Sequence, residues 1–235
     1  MTRVTCSDER ILIYDDFLPE DAAEALREHA NSDRYSMVHR EHVQKVWRLG
    51  DGFPMHGTTT YYRPDGMYEP AEEPHHPTET PLDRFIEELG AVLPDAERLV
   101  GKRGTAWSSI ILTPWVYPAG SGLSLHRDSE EYAGAYTYFL HREWSFHWGG
   151  HLLVFDPATP DLEDVNFFPP WLSESEESRL VAEPGIATCI LPKPNRLVFL
   201  ASSAFHMVTR VDANAGNRPR VTLSGFFMAS AAPAG

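Results

Sequence analysis

The sequence predicts a mainly β fold with flanking helices, an α+β arrangement in which N-terminal helices pack on a C-terminal β core. Three observations carry this expectation. Helical periodicity is confined to the part before residue 104. After it come short β-rich runs divided by Gly, Pro, Asn and Asp, the pattern of a sandwich or distorted barrel. No linker or internal repeat divides the 235 residues, so one domain over 1–235 is expected, helical over about 1–104 and β over about 105–230.

In chain order, ILIYDDFLPEDAAEALREHA (11–30) reads as a strand, a turn at Pro19-Glu20-Asp21, and a helix with Leu18, Ala22, Ala25, Leu26 and His29 at helical spacing. Residues 51–81 are dense in Gly, Pro and polar side chains, an excursion with one strand at 58–62. PLDRFIEELGAVLPD (81–95) is a second helix with Phe85, Leu89 and Val92 on one face, expected to stop at Gly90–Pro94. The strand candidates are AWSSIILTPWVYP, AYTYFLH, GGHLLVFDP, RLVFLA, HMVTRV and RVTLSGFFM, and the acidic insert at 157–185 reads as a surface loop.

Composition narrows the function classes. With 42% hydrophobic and 23% charged residues the chain is globular, and no apolar run reaches the roughly 20 residues of a membrane helix. The N-terminus lacks a signal-peptide core, which predicts a cytoplasmic protein with no membrane partner. A net charge of −14 argues against nucleic acid, which demands a basic face. Cys6 and Cys189 are too few for a disulfide framework or thiolate zinc site, and Cys189 reads as a small buried apolar residue.

The chemistry begins at GLSLHRDSEEY (122–132). In a strand, positions two apart share a face, so His126 and Asp128 project together, as metal ligands or as a hydrogen-bonded pair. RLVFLASSAFHMVTRV supplies His206 in another apolar strand, 80 residues later. Two histidines and a carboxylate on one face of a metal form the facial triad of non-haem iron(II), with open positions for a 2-oxo acid and dioxygen. In RVTLSGFF (220–227), Arg220, Thr222 and Ser224 share one strand face. An arginine pointing into a β core calls for a carboxylate, which its guanidinium grips through two bonds. Arg210 and Arg218 are rival anchors.

The run YPAGSGLSLHRD, FLHREW, GGHLL, HMV and RVTLSGFF, from about Trp115 to Phe227, resembles the iron(II)/2-oxoglutarate-dependent dioxygenases in their prolyl 4-hydroxylase-like branch. The resemblance implies a double-stranded β-helix of jelly-roll type. It also implies iron held by His126, Asp128 and His206, and the 2-oxoglutarate carboxylate held by Arg220, with Ser224, Tyr136 or Tyr138 as its second partner. Two positions depart from the family pattern: His141 stands where many relatives have Asn, and His151 follows Gly-Gly in place of an acidic residue. With His147 these histidines straddle a turn and read as turn and surface residues. Trp107, Trp115, Trp144 and Trp148 read as core or rim aromatics.

The implied reaction uses Fe(2+), 2-oxoglutarate and O2, releases succinate and CO2, and oxidises a substrate C–H bond. Halogenating relatives have Gly or Ala at the ligand position that Asp128 fills, so hydroxylation is expected. The polar excursion at 51–81 and the insert at 157–185 suit a lid; the basic and aromatic run at 35–50 reads first as a plain solvated helix or loop, with a cover over the site as the alternative. A lidded site favours a small-molecule substrate such as an amino acid, amino sugar or natural-product intermediate. The alternatives are a peptidyl, prolyl-type hydroxylase and a non-catalytic metal- or carboxylate-binding sandwich.

Overall fold

The computed structural model describes residues 3–38, 49–155 and 186–230. Most of the run at 35–50 and the insert at 157–185 lie outside the described residues. The strands are β1 (Arg3–Ser7), β2 (Ile11–Asp15), β3 (Ser36–Met37), β4 (Met55–His56), β5 (Thr60–Tyr62), β6 (Trp107–Tyr117) and β7 (Leu123–His126). They continue as β8 (Tyr132–Phe139), β9 (Leu152–Phe155), β10 (Ala187–Ile190), β11 (Leu197–Ala201), β12 (His206–Val208) and β13 (Arg220–Ala229). Two helices accompany them, α1 (Glu20–Asn31) and α2 (Pro81–Val100).

The strands form two antiparallel sheets. The large one runs β1-β2-β11-β8-β13-β6-β4-β3 with β5 beside β6; the small one runs β10-β9-β12-β7. Strands β6 to β13 contribute four to each sheet, the jelly-roll core expected from the sequence. The first hundred residues are less helical than expected, because β1 to β5 all extend the large sheet.

The large sheet is covered on both faces. One face carries the helices, whose Leu26, Phe85, Leu89 and Leu99 pack on Tyr136, Tyr138, Phe199 and Phe227. The other faces the small sheet, where Ile13, Phe139, Val198 and Leu200 meet Leu152, Val154, Ile190 and Val208. Helix α2 begins at Thr80, whose hydroxyl accepts the Leu82 N–H, while Asp83 accepts from Thr78 and Glu79. It does not stop at Gly90–Pro94 as the sequence reading expects. An interior proline costs about 3 kcal/mol, but each large apolar side chain buried beyond it returns roughly 1.5–3 kcal/mol, and Ala96, Leu99 and Val100 all continue the buried face. The helix ends at Gly101, whose φ of 73° suits glycine. Cys189 also departs from expectation: it lies exposed on β10. Among the described residues no helix is long and apolar enough to cross a membrane.

Asp15 closes the β2 end of the large sheet. It accepts from Arg196 at 2.7 and 3.1 Å and from Thr5 at 2.8 Å, with Lys193 at 3.2 Å. Burial would raise its pKa; these partners outweigh burial and lower it to about 2. A depressed carboxylate stabilises the fold above its unfolded pKa and loses that contribution as pH falls through the folded one. Asp15→Asn should therefore cost about 2 kcal/mol at pH 7. In chemical denaturation the gap to the unsubstituted protein should narrow from pH 4 towards pH 2.

Candidate metal centre and cosubstrate anchor

Strand β12 pairs with β7 so that His206 faces His126 and Val208 faces Leu123. Two residue steps along β12 thus span three along β7, and the bulge brings both Leu123 and His126 onto the inner face. His206 is flanked on its other side by Val154 of β9. The two imidazole centroids lie 4.1 Å apart. Asp128 falls just beyond the end of β7, and its Oδ1 comes within 3.8 Å of His126 Nε2. One donor atom from each of His126, Asp128 and His206 lies within 4.8 Å of the others, the only such group of three among the described residues.

Backbone carbonyls set the tautomers. His126 Nδ1 donates to Ser124 O at 2.8 Å and His206 Nδ1 to Ala204 O at 2.9 Å. Each ring therefore carries its lone pair on Nε2, as a metal ligand requires. All three residues are buried, at 7%, 6% and 6% exposure. Burial and the neighbouring His206 hold His126 well below its usual pKa, and burial raises Asp128 against the pull of His206. Asp128 Oδ2 is buried without a hydrogen-bond partner. Two imidazoles presenting Nε2 and an unsatisfied carboxylate fit a divalent cation, which supplies the charge that burial withholds. The N,N,O donor set suits iron(II).

Arg220 opens β13 opposite Tyr117 of β6 and is only 2% exposed. Its guanidinium carbon lies 5.2 Å from the Tyr117 ring and 5.0 Å from the Phe139 ring. Its stem runs so close to Gly150 that a Cβ there would sit 3.0 Å from Cδ. Burial lowers its pKa to about 10, so it stays charged at neutral pH, yet its Nε has no partner and no ion pair to it is present among the described residues. A buried cation of this kind suits an incoming carboxylate. The rivals are elsewhere: Arg210 is exposed, and Arg218 is exposed, bonded to Glu143 at 3.2 Å.

Ser224 shares the inner face with Arg220; its hydroxyl bonds Thr137 at 3.0 Å and Thr222 at 3.2 Å. Tyr138 does not. It pairs in register with Leu223, on the helix side of the sheet, where it packs on Phe17 and Phe85 and bonds Asn195 at 2.9 Å. Tyr136 faces the same way and donates to Ile111 O at 3.1 Å. Neither reaches Arg220, because the alternation of β8 turns both away. His141 is also not a surface histidine. It is buried against Trp144, with burial and then Arg220 lowering its pKa to about 3, and so it is neutral. His147 is exposed, and His151 stacks on Phe146.

The sequence profile of the 2OG-Fe(II) oxygenase superfamily matches residues 112–228, the stretch that carries all three candidate ligands and Arg220. The chain belongs to that superfamily. Its members use iron(II), 2-oxoglutarate and dioxygen, and the protein is an enzyme of this class. Among solved structures the oxygenase is similar to a Pseudomonas putida prolyl-4-hydroxylase (17% identity, 93% of this chain and 92% of that one, TM-score 0.57). It is also similar to a Trichoplax adhaerens prolyl hydroxylase in complex with a hypoxia-inducible-factor peptide fragment (13%, 94% and 84%, 0.54). A third is the non-haem α-ketoglutarate-dependent epimerase SnoN of nogalamycin biosynthesis (15%, 93% and 78%, 0.52). At these identities the likeness is one of fold. No curated protein matches the sequence significantly.

Residues that sequence reasoning passed over also brace the candidate centre. Asp51, 5% exposed, accepts the Ser124 hydroxyl at 2.6 Å, and its carbonyl accepts Gly122 N–H at 3.0 Å. Ser121 Oγ accepts Phe53 N–H at 3.0 Å. The 51–53 segment is thereby clamped to the strand whose Ser124 carbonyl orients His126. In the sequence Asp51-Gly52 looks like ordinary turn chemistry. Losing such an outer partner typically weakens a metal site by ten- to a hundredfold. Titration of Asp51→Ala with cobalt(II), read by its visible d–d bands, should show a loss of about that size. His206→Ala should abolish the bands.

Proposed function

We propose that the enzyme hydroxylates an unactivated C–H bond of a small molecule, with iron(II) held by His126, Asp128 and His206 and the far carboxylate of 2-oxoglutarate held by Arg220 and Ser224. The observation that carries this reading is a buried arginine without a carboxylate partner among the described residues, inside the same sandwich as three metal-ligand side chains. Bound together, iron(II) and 2-oxoglutarate supply oxidative decarboxylation by dioxygen to succinate and carbon dioxide, coupled to C–H oxidation.

The protein's own part is positional. The Ser124 and Ala204 carbonyls hold the imidazoles in their metal-binding tautomers, Tyr117 and Phe139 sandwich the Arg220 guanidinium, and burial on all sides limits water. Hydroxylation is favoured over halogenation because Asp128 occupies a ligand position with a carboxylate. A small molecule is favoured over a peptide because all three ligands are less than a tenth exposed. The fold itself does not choose: two similar structures are prolyl hydroxylases and a third is an epimerase. We place the enzyme in the cytoplasm, where free thiols such as Cys6 and Cys189 stay reduced.

Anaerobic titration of the iron(II)-loaded protein with 2-oxoglutarate should produce a weak visible charge-transfer band. Arg220→Ala should raise the 2-oxoglutarate dissociation constant at least tenfold, since a charge-assisted hydrogen bond contributes roughly 1.5–3 kcal/mol. No band at saturating iron would refute the reading.

A further inference from the structure

The inner face of the large sheet changes character along β13. At one end stand Arg220 and Tyr117; in the middle Thr222, Ser224, Thr113 and Thr137 present hydroxyls; at the other end the face turns apolar. The metal ligands lie between these ends. Leu123, at the start of β7, packs against the cluster of Tyr117, Val211 and Ala215. His126 is three residues further on, roughly 10 Å along the strand. The chain then passes Asp128, turns with Tyr132 N–H donating to Ser129 O at 2.9 Å, and enters β8 at the apolar end.

That end is a row across four neighbouring strands. Tyr61 of β5 pairs with Ile111 of β6, Phe226 of β13 lies beyond it, and Tyr132 of β8 stacks on Phe226 with centroids 4.1 Å apart and planes 16° from parallel. At a strand spacing of ~4.8 Å, the row is about 14 Å wide. All four side chains are half-buried, whereas the same sheet face further along β8 and β11 is sealed by the small sheet. Asp128 precedes Tyr132 by four residues, and the phenol pKa is raised by burial first, then by the charge of Glu131 and then by that of Asp128. No charged residue of the described chain belongs to the row, and Arg127, between two ligands, lies over the Phe205 ring at 5.7 Å.

Resting on the function proposed above, we propose that Tyr61, Ile111, Phe226 and Tyr132 form the substrate floor, and that the substrate carries a flat or fused apolar ring lying on the Tyr132–Phe226 stack. With the cosubstrate held towards Arg220, this floor lies at the opposite end of the same sheet face, where the chain arrives just after Asp128. An uncharged aromatic floor selects ring surface over a charged group, which would lose its hydration without gaining a partner. Among small molecules this favours a polycyclic intermediate over a free amino acid or amino sugar.

The test is saturation-transfer NMR on the anaerobic iron(II)- and 2-oxoglutarate-loaded enzyme with three probes: indole, L-lysine, and the acetyl-Gly-Pro-Gly amide. Indole should bind in preference to the other two. Tyr132→Ala and Phe226→Ala should each weaken it roughly five- to tenfold, the size of one aromatic contact. Tyr132 lies at the start of β8, so its variant tests the floor even where Phe226→Ala fails to fold. Indole binding unchanged in Tyr132→Ala would overturn the proposal and point to the separate cavity of about 230 Å³ lined by Tyr62, Leu93 and Trp107. Preference for lysine or the prolyl peptide would overturn it equally. The visible band of the same sample separates the two readings: present without indole binding, only the floor is wrong; absent, the iron reading falls and the floor with it.

Discussion

The site depends on how β7 is paired. Among the described residues it is the last strand of the small sheet, bonded on one side only, and a regular ladder would alternate Leu123 and His126 between opposite faces. The bulge against β12 removes that conflict: Leu123 keeps its place against the cluster of Tyr117, Val211 and Ala215, and His126 arrives opposite His206. Everything else at the centre follows. The strand ends at His126, so Asp128 can turn back towards the imidazoles, and the clamp from Asp51 holds Ser124 where its carbonyl fixes the His126 tautomer.

This geometry gathers ionisable groups in a dry place, which by itself opposes folding. Two histidines are buried side by side, a carboxylate oxygen has no hydrogen-bond partner, and a guanidinium is buried between aromatic rings. Such groups are tolerated where function requires them, and here the two unsatisfied charges complement two halves of one ligand set. The acidic ligand calls for a cation and Arg220 calls for an anion. In the proposed function, an iron(II) ion chelated by a dicarboxylate would satisfy both.

Much of this was legible in the sequence, and the reason is local. The H-x-D pair, a histidine in an apolar strand and an arginine alternating with Thr222 and Ser224 are each short patterns; strand periodicity accounts for the shared face of Arg220, Thr222 and Ser224, whereas Asp128 lies just beyond the end of β7 and meets His126 through the turn that follows. The face that Tyr138 takes was not legible. A strand covered on both sides is apolar on both faces, so alternation in AYTYFLH separates two sets without telling which looks inward. The helix running through Pro94 was missed because local stop signals were outweighed by buried side chains further on. Asp51 reaches Ser124 across 73 residues, and no short pattern encodes that contact. The burial of His141 likewise depends on tertiary neighbours, Pro192, Arg220 and Val221, and not on its place beside a turn.

The most direct measurement is a crystal structure of the enzyme grown without oxygen in iron(II) and 2-oxoglutarate, with anomalous data at the iron edge. The account requires one strong iron peak bonded to Nε2 of His126, Nε2 of His206 and the Asp128 carboxylate, with the far carboxylate of 2-oxoglutarate on the Arg220 guanidinium. Iron bound at other residues, or a cosubstrate carboxylate that leaves Arg220 unpaired, would contradict it.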